Sequence, residues 1–239
     1  MTLDSTQPKL RRCTFAVPAD TLAQSLLGCT LVRQLKCGTR LAGVIVETEA
    51  YLGAIDKAAH SKGARRTPRT EPMFGPGGTA YVFLIYGMYR CFNIAASTEG
   101  DPQAVLIRAV EPTEGIDRMR ELRAAKSRAR DPNKLPEHLL CSGPARLCDS
   151  MDIGLGFSGQ DLTSPGEIWI EPRSRRAGGG EPDIGTSVRI GVEYAEEWAE
   201  AELRYFVRGS RSISGPKALS CGGRALDYQA GRPGKPTAG

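Results

Sequence analysis

The chain has 239 residues, of which 40% are hydrophobic and 25% charged, the proportions of an ordinary globular protein. This composition excludes a disordered chain. The longest apolar or aromatic run covers residues 80–86, far short of the roughly 20 residues that a membrane-spanning helix needs. The first residues lack the apolar stretch of a secretory signal, so we expect a soluble, intracellular protein with no membrane partner.

The cysteine and histidine content gives no sign of a disulfide framework or a metal site. The seven cysteines are an odd number without a CxxC pair, and only His60 and His138 accompany them. Scattered thiols of this kind are typical of a reducing compartment. We therefore predict neither a disulfide framework nor a zinc site, and a location in a bacterial cytoplasm or in a nucleus.

The net charge of +5 is concentrated near the C-terminal end. Residues 208–239 contain six bases and one acid, so they carry the whole net charge, and residues 1–207 sum to zero. Two interpretations fit this strip: it binds a polyanion, or it is a solvated tail that aids solubility. We predict a flexible arm at residues 1–12, one domain at 13–221 and a basic, disordered tail at 222–239.

The predicted elements are a few helices among many short strands. A helix is expected at residues 21–27, with Asp20 as its N-cap and Gly28 at its C-terminal stop. A basic helix is expected at residues 114–130, and a shorter one follows Pro144. Strands are predicted at residues 30–34, 40–50, 79–86, 88–95, 104–110, 167–171, 187–192 and 203–208. Three consecutive glycines within residues 173–183 predict an exposed loop.

The second predicted strand leads into a segment with two acids and an aromatic ring. Its period of two places Ile45, Glu47, Glu49 and Tyr51 on one face. Acids are almost never buried without a partner. Two interpretations are open: a general base beside a stacking ring, or an exposed face whose acids lie in water.

A histidine and a basic loop follow this strand. A single histidine such as His60 is either a structural residue or a catalytic one. Four bases come soon after it, Lys62, Arg65, Arg66 and Arg69. They fit either a loop that contacts phosphates or a solvated surface loop.

Five of the thirteen Tyr and Phe residues fall within residues 81–92. Gly87 separates two predicted strands there, which indicates a β-hairpin. Tyr86 and Met88 flank this glycine at the turn, where packing in a core does not account for them. An aromatic side chain that projects from a turn can stack on bases or wedge between them.

Taken in chain order, these segments resemble the alkyladenine (3-methyladenine) DNA glycosylase family. The similar motifs are ETEAYLG at 47–53, AAHS at 58–61, MF at 73–74, GTAYV at 78–82, IYGMY at 85–89, CFNI at 91–94, LIRAVEP at 106–112, SGPARL at 142–147, RIGV at 189–192, EW at 197–198 and LRYFV at 203–207. The resemblance extends from residue 22 to residue 210. Several motifs in one order are a much stronger signal than any single motif.

The resemblance implies an α+β fold: a single compact domain with a curved, open-barrel-like antiparallel sheet, flanking helices and a hairpin that enters the minor groove of DNA. It implies a monomeric, monofunctional glycosylase of base excision repair that needs no metal and no other cofactor and whose partner is duplex DNA with damaged purines. Such an enzyme flips out 3-methyladenine, 7-methylguanine, hypoxanthine or ethenoadenine. It then hydrolyses the N-glycosidic bond and leaves an abasic site.

The resemblance also implies roles for residues around the reacting bond. Glu49 matches the residue that activates the attacking water. Arg108 and the backbone carbonyl of Val207 match groups that hold this water. Tyr51 matches the ring that stacks on the flipped base, and His60 matches the residue that packs against that base.

Four further residues match positions around the base and the duplex. Asn93 matches the pocket residue that excludes guanine by crowding its exocyclic amine. Tyr86 matches the intercalating residue of the hairpin, and Met73 matches a hydrophobic contact beside the intercalation site. Phe83 departs from the family, since a tyrosine is familiar at this position of the pocket. Loss of that hydroxyl affects the preference among bases more than the activity.

Two alternatives remain open. A non-catalytic module that binds damaged DNA would share the basic surface and the wedge but would not need Glu49. An enzyme of another class on a related fold, such as the RNA-binding domain of a formyl-transfer protein, would lack the set of Glu49, Tyr51 and His60. Because this set is complete, we rank the glycosylase above both.

Overall fold

The computed structural model describes residues 8–126, 131–173 and 181–215. The helices are α1 (Arg12–Phe15), α2 (Ala19–Ser25), α3 (Ile116–Lys126), α4 (Glu137–Leu140) and α5 (Pro144–Ser150). The strands are β1 (Thr30–Gln34), β2 (Arg40–Tyr51), β3 (Ala80–Ile85), β4 (Tyr89–Ala96), β5 (Gln103–Glu114), β6 (Ile168–Glu171), β7 (Ile184–Ser187) and β8 (Arg204–Val207). Short 3₁₀ turns cover Gly53–Ile55, Lys62–Ala64, Glu71–Phe74, Pro132–Lys134, Leu155–Phe157 and Glu196–Ala199. The predicted tail at residues 222–239 lies outside the described residues.

The strands form one antiparallel sheet that curls into a half-barrel, in the order β3-β4-β5-β2-β1-β6. Strand β2 is its centre, because β5 lies along one edge of β2 while β1 and β8 share the other edge. Strand β7 extends the sheet beyond β8. The predicted α+β class with a curved antiparallel sheet is therefore confirmed.

The main core and the site lie on opposite faces of the sheet. Helix α2 packs on β2 and β5, and α5 packs on β4 and β5. Along β5, Val105 and Ile107 point into this core, whereas Leu106 and Arg108 point to the other face and line a cavity. Because side chains alternate along a strand, one set of β5 residues packs in the core and the other set faces the cavity.

A β-bulge changes the predicted face of β2. The pairing of β2 with β5 shifts register between Ile45 and Glu47. Ile45 is therefore buried in the main core, whereas Glu47 and Glu49 both reach Arg108 on the other face. The prediction that Ile45 shares the face of the two acids was wrong, because a bulge adds one residue and reverses the alternation.

Two other predicted boundaries were wrong for local reasons. Helix α2 begins after Pro18 rather than Asp20, since a proline has no N–H to leave unpaired at a helix start. The strand predicted at residues 187–192 shares only Ser187 with the observed strand β7, which ends at this residue. Beyond it the chain forms a loop, because Arg189 turns inward to a buried ion pair with Asp56, at 2.5 Å. The remaining predicted strands and the hairpin at Gly87 are confirmed with small shifts.

The N-terminal residues that the structure describes contact the domain. The N–H of Leu10 donates to the carbonyl of Ile170 at 2.9 Å, and Arg12 pairs with Asp161 at 2.5 Å. Residues 8–12 of the predicted arm therefore pack against the body, and residues 1–7 lie outside the described ranges. Most of the predicted loop at 173–183 and the end of the basic helix also lie outside them. Within these ranges, no helix has the length and apolar character to cross a bilayer.

Gly77 marks a close approach of chain segments just before β3. A Cβ atom at this position would lie 2.5 Å from the carbonyl oxygen of Phe15 and 2.8 Å from that of Ser97. Gly77→Ala should therefore lower the free energy of unfolding by about 1–3 kcal/mol, measured by urea denaturation. Gly154→Ala is the control, because a Cβ there meets nothing within 4 Å. Equal stability of the two variants would contradict this account.

Candidate active site

A cavity of about 410 Å³ opens beside the hairpin of β3 and β4. This volume is typical of small-molecule sites, which occupy roughly 300–1,000 Å³. Its wall is completed by residues 142–146 at the start of α5 and by residues 190–194. The predicted site residues that line it are Tyr51, His60, Met73, Phe83, Tyr86, Asn93 and Arg108. Glu49 lies directly behind this wall and contacts three of its residues, Tyr51, Arg108 and Ile190.

One side of the cavity is an aromatic wall. The ring of His60 meets Phe83 edge to face with 4.5 Å between centroids, and Tyr81 stacks on Phe83 at 5.3 Å. Such pairs contribute about 0.5–1.5 kcal/mol beyond their buried area, which fixes the wall in place. Met73 packs against Tyr81 and Ala104 and is only 2% exposed. It borders the cavity, and its role as a hydrophobic contact beside the intercalation site stays a prediction.

His60 is held as a neutral ring. The guanidinium of Arg69 can only donate, so Nε2 of His60 accepts its bond at 3.3 Å, and Nδ1 must carry the proton. That proton is donated to the hydroxyl of Tyr81 at 2.9 Å. Burial, assisted by the charge of Arg69, lowers the pKa of His60 to about 4. At neutral pH this ring is uncharged.

Glu49 is completely buried, and two hydrogen bonds and one ion pair hold its carboxylate. The hydroxyl of Tyr51 donates to Oε2 at 2.9 Å, and the N–H of Ile190 donates to Oε1 at 2.8 Å. Nη1 of Arg108 lies 3.2 Å from Oε1. Burial and the charge of Glu49 raise the pKa of Tyr51 well above its ordinary value, so its hydroxyl keeps the proton that it donates. The acid is therefore fixed as an acceptor at the back of the cavity.

Arg108 connects this acid to a second one. Its Nε donates to Oε1 of Glu47 at 3.0 Å, while its Nη1 faces Glu49. Burial alone would lower the pKa of Arg108, but the carboxylates of Glu49 and Glu47 outweigh this effect and raise it. The guanidinium therefore remains charged and lies between the two acids.

Glu47 was not among the predicted site residues, and its carboxylate is fully buried. It accepts hydrogen bonds from Nε of Arg204 at 2.6 Å and from the N–H and the hydroxyl of Ser214 at 2.6 and 2.8 Å. Burial would raise the pKa of Glu47, but Arg108 and Arg204 outweigh it and lower the pKa. The interpretation of an exposed strand face with acids in water is wrong for both acids. The position of Glu47 on the same face of β2 as Glu49 was the sequence feature that could have identified it as a site residue.

Val207 is not brought to the cavity. It lies on β8, where it pairs with Ile184 and packs against the core. Ile190 lines the cavity and holds Glu49 through its N–H, so the contact assigned to Val207 falls outside the site. Sequence reasoning missed Ile190 because it assigned the segment to a strand. Gly191, at φ +81°, was the signal of a turn there.

Asn93 lies buried on β4 at the floor of the cavity. Its Nδ2 donates to the carbonyl of Tyr81 at 3.1 Å and to that of Cys91 at 3.4 Å. The amide is thereby fixed against the backbone of the hairpin. Burial raises the pKa of the neighbouring Cys91 thiol to about 11, so this cavity residue is not a thiolate at neutral pH.

The hairpin turn presents large apolar side chains at the cavity mouth. Tyr86 is 83% exposed and Met88 is 66% exposed. Tyr86 also has φ +51°, a left-handed conformation that costs a non-glycine residue about 1–2 kcal/mol. Exposure together with backbone strain indicates a side chain placed for contact with a partner rather than for folding.

Among the described residues, no three His, Cys, Asp or Glu side chains form a group that could hold a metal ion. The charged groups near the cavity are mainly arginines. Arg69 lies with its guanidinium 5.0 Å from the ring centre of Phe83, and Arg146 lines the mouth. An anionic partner is favoured at this surface.

Comparison with known proteins gives a consistent result. Residues 13–211 match the family model described as methylpurine-DNA glycosylase (MPG). A human relative named DNA-3-methyladenine glycosylase is 46% identical over 200 residues, which are 84% of this chain and 66% of that protein. The mouse protein of the same name is 44% identical over 200 residues, 84% of this chain and 59% of that protein.

A bacterial relative matches over nearly its whole length. A Clostridium botulinum protein, provisionally named a 3-methyladenine DNA glycosylase, is 42% identical over 206 residues, which are 86% of this chain and 98% of that protein. The chain thus spans 59–66% of the length of the human and mouse relatives and almost all of the clostridial one.

The state of His60 gives a prediction for its titration. Its pKa of about 4 lies below the ordinary value of 6.5, so the unfolded chain takes up the proton first. The contribution of the neutral His60 ring to the free energy of unfolding is therefore lost as the pH falls from 6.5 to about 4. Arg69→Gln should raise this pKa, although burial keeps it below 6.5, as measured by NMR titration of the histidine rings. Arg65→Gln, an exposed arginine of the same loop, is the control. An unchanged His60 titration in Arg69→Gln would contradict the assignment.

Proposed function

The chain belongs to the methylpurine-DNA glycosylase family, and on this premise we propose that it excises damaged purines from duplex DNA by hydrolysing their N-glycosidic bond. The observation that supports this most is the buried carboxylate of Glu49, held by two hydrogen bonds and one ion pair at the back of an aromatic cavity. A carboxylate without solvent contact and with fixed partners suits a general base better than a surface ion. Relatives named as glycosylases of 3-methyladenine support the same reaction class.

The first step is extrusion of the damaged nucleotide. A base inside a duplex is out of reach, and turning it out costs about a few kcal/mol, least for damaged or mispaired bases. Tyr86 at the exposed turn fills the gap in the base stack. The extruded purine enters the cavity, where Tyr51, His60 and Phe83 contact its ring.

The second step is hydrolysis. A carboxylate has about four acceptor sites, and the hydroxyl of Tyr51 and the N–H of Ile190 occupy two of them on Glu49. A free site accepts a proton from a water molecule, whose oxygen attacks C1′ of the sugar as the bond to the purine breaks. The negative charge of Glu49 also stabilises the oxocarbenium-like sugar that forms. Arg108 keeps this carboxylate oriented and faces the cavity beside it.

The charge of the leaving base determines which lesions react fastest. An alkylated purine such as 3-methyladenine or 7-methylguanine carries a positive charge and departs as a neutral base. Hypoxanthine and ethenoadenine need a proton as they depart. His60 is neutral and commits its Nδ1 proton to Tyr81, so it does not supply that proton. We therefore assign cationic alkylated purines as the preferred substrates, with Asn93 limiting entry of normal guanine.

Replacement of the proposed base tests the chemistry. Glu49→Gln keeps the shape of the side chain but cannot accept the proton of water. The single-turnover rate of excision should fall about 10²–10⁴-fold. The measurement uses duplexes with one 7-methylguanine, hypoxanthine or ethenoadenine, and alkaline cleavage reveals abasic sites. Binding to the lesion duplex should survive.

The control is Glu111→Gln, an exposed acid of β5 outside the cavity, which should excise at the wild-type rate. An unchanged rate in Glu49→Gln would contradict its role as the base. Wild-type protein that binds every lesion duplex but excises none would instead favour the non-catalytic damage-binding module.

Removal of the exposed ring tests the extrusion step. Tyr86→Asn tolerates positive φ but cannot fill the base stack. Stacking of one base on an aromatic ring contributes about 1–3 kcal/mol, so the Kd for a lesion duplex should rise roughly 5- to 150-fold. Fluorescence anisotropy measures this change, with the exposed turn residue Met88 replaced by Ala as the control. An unchanged Kd in Tyr86→Asn would contradict insertion by this side chain.

A further inference from the structure

Behind the cavity, Glu47, Glu49, Arg108 and Arg204 form a buried ionic network. Residues 212–214, which we call the strap, cross this network. The strap follows β8 and lies just beyond the residues that match the family model, 13–211. All three of its residues are buried. Ile213 packs against Val46, Ala109 and Phe206, and its carbonyl accepts the hydroxyl of Ser142 at 3.1 Å.

Ser214 contacts three of the four charged side chains of this network. Its N–H and hydroxyl donate to the two oxygens of Glu47, at 2.6 and 2.8 Å. The same hydroxyl oxygen accepts from Nε and Nη2 of Arg108, at 3.3 and 3.2 Å. Its carbonyl accepts from Nη2 of Arg204 at 2.7 Å.

These contacts divide the donors of Arg108 between two sides. Nε and Nη2 are held by Glu47 and Ser214, which leaves Nη1 for Glu49. Without the Ser214 hydroxyl, Nη2 of Arg108 would lose this partner. The planar guanidinium of Arg108 could then rotate toward whichever carboxylate lies nearer. Two carboxylates then compete for one arginine, and Glu47 has the shorter contact, at 3.0 Å against 3.2 Å.

We propose that the strap is a positioning element of the active site: Ser214 fixes the guanidinium of Arg108 in the orientation that supports Glu49. This inference rests on the proposed function, in which Glu49 is the base. Ser214 touches no reacting atom and acts through Arg108. The strap thus contributes to the reaction although none of its three residues lines the cavity wall.

Replacement of the hydroxyl tests the strap. Ser214→Ala should slow single-turnover excision of 7-methylguanine about 10- to 100-fold, the scale of a small misplacement of catalytic groups. The Kd for the lesion duplex should stay the same, since the strap does not line the cavity mouth. Ser214→Thr restores a hydroxyl and should recover most of the rate. Ser212→Ala is the matched control, because Ser212 is equally buried and, among the described residues, its hydroxyl contacts neither acid.

The split between rate and binding separates positioning from a loss of stability. Ser214→Ala should lower the maximal single-turnover rate, while the Kd for the lesion duplex and the folded fraction at the assay temperature, measured by circular dichroism, stay at their wild-type values. A merely less stable protein would lose rate only in proportion to its folded fraction.

The outcomes are distinguishable. A wild-type rate in Ser214→Ala would overturn the inference alone. A wild-type protein without excision of any lesion would overturn the proposed function. If Ser214→Ala does not fold, Ser214→Cys, which keeps the size but weakens the hydrogen bonds, is measured against Ser212→Ala in the same way. An equal rate in that pair would also overturn the inference.

Discussion

The guanidinium of Arg108 between Glu47 and Glu49 is the interaction on which this structure depends. Burial of a charge costs several kcal/mol unless partners surround it, and removal of one partner from a buried pair costs about 3–5 kcal/mol. The partners here come from β2, β5, β8, the loop after β7 and the strap. The buried site therefore forms only when these segments come together in the curled sheet. A shift in any of these segments leaves a buried charge without its partner.

The molecule separates a rigid interior from an exposed contact surface. The back of the cavity is ionic, fully buried and hydrogen-bonded, so its geometry is fixed before a ligand arrives. The mouth carries Tyr86 and Met88 on a strained turn. A base turned out of a helix needs both parts: a side chain that holds the duplex open, and a pocket that needs no rearrangement. The proposed reaction therefore draws on two physically different regions of one hairpin-and-sheet unit.

Local patterns predicted the strands other than β7, the hairpin and the shared face of the two acids, because alternation and turn residues act within a few positions. The resemblance also indicated the residues that meet at the cavity. Interactions between distant segments were not predictable in this way. The bulge that separates Ile45 from Glu47, the inward turn of Arg189 toward Asp56 and the bond between Ser214 and Glu47 join residues up to 167 positions apart. The inward turn of Arg189 also brings its neighbour Ile190 next to Glu49, a contact that no local pattern predicts.

The central claim is that a damaged purine occupies the cavity while its sugar faces the Glu49 carboxylate. The most direct measurement is a crystal structure of Glu49→Gln bound to a duplex with one ethenoadenine. The account predicts the purine in contact with Tyr51 and His60, C1′ on the side of residue 49, and the ring of Tyr86 within the base stack. A purine still stacked in the duplex, or bound away from residue 49, would contradict the account.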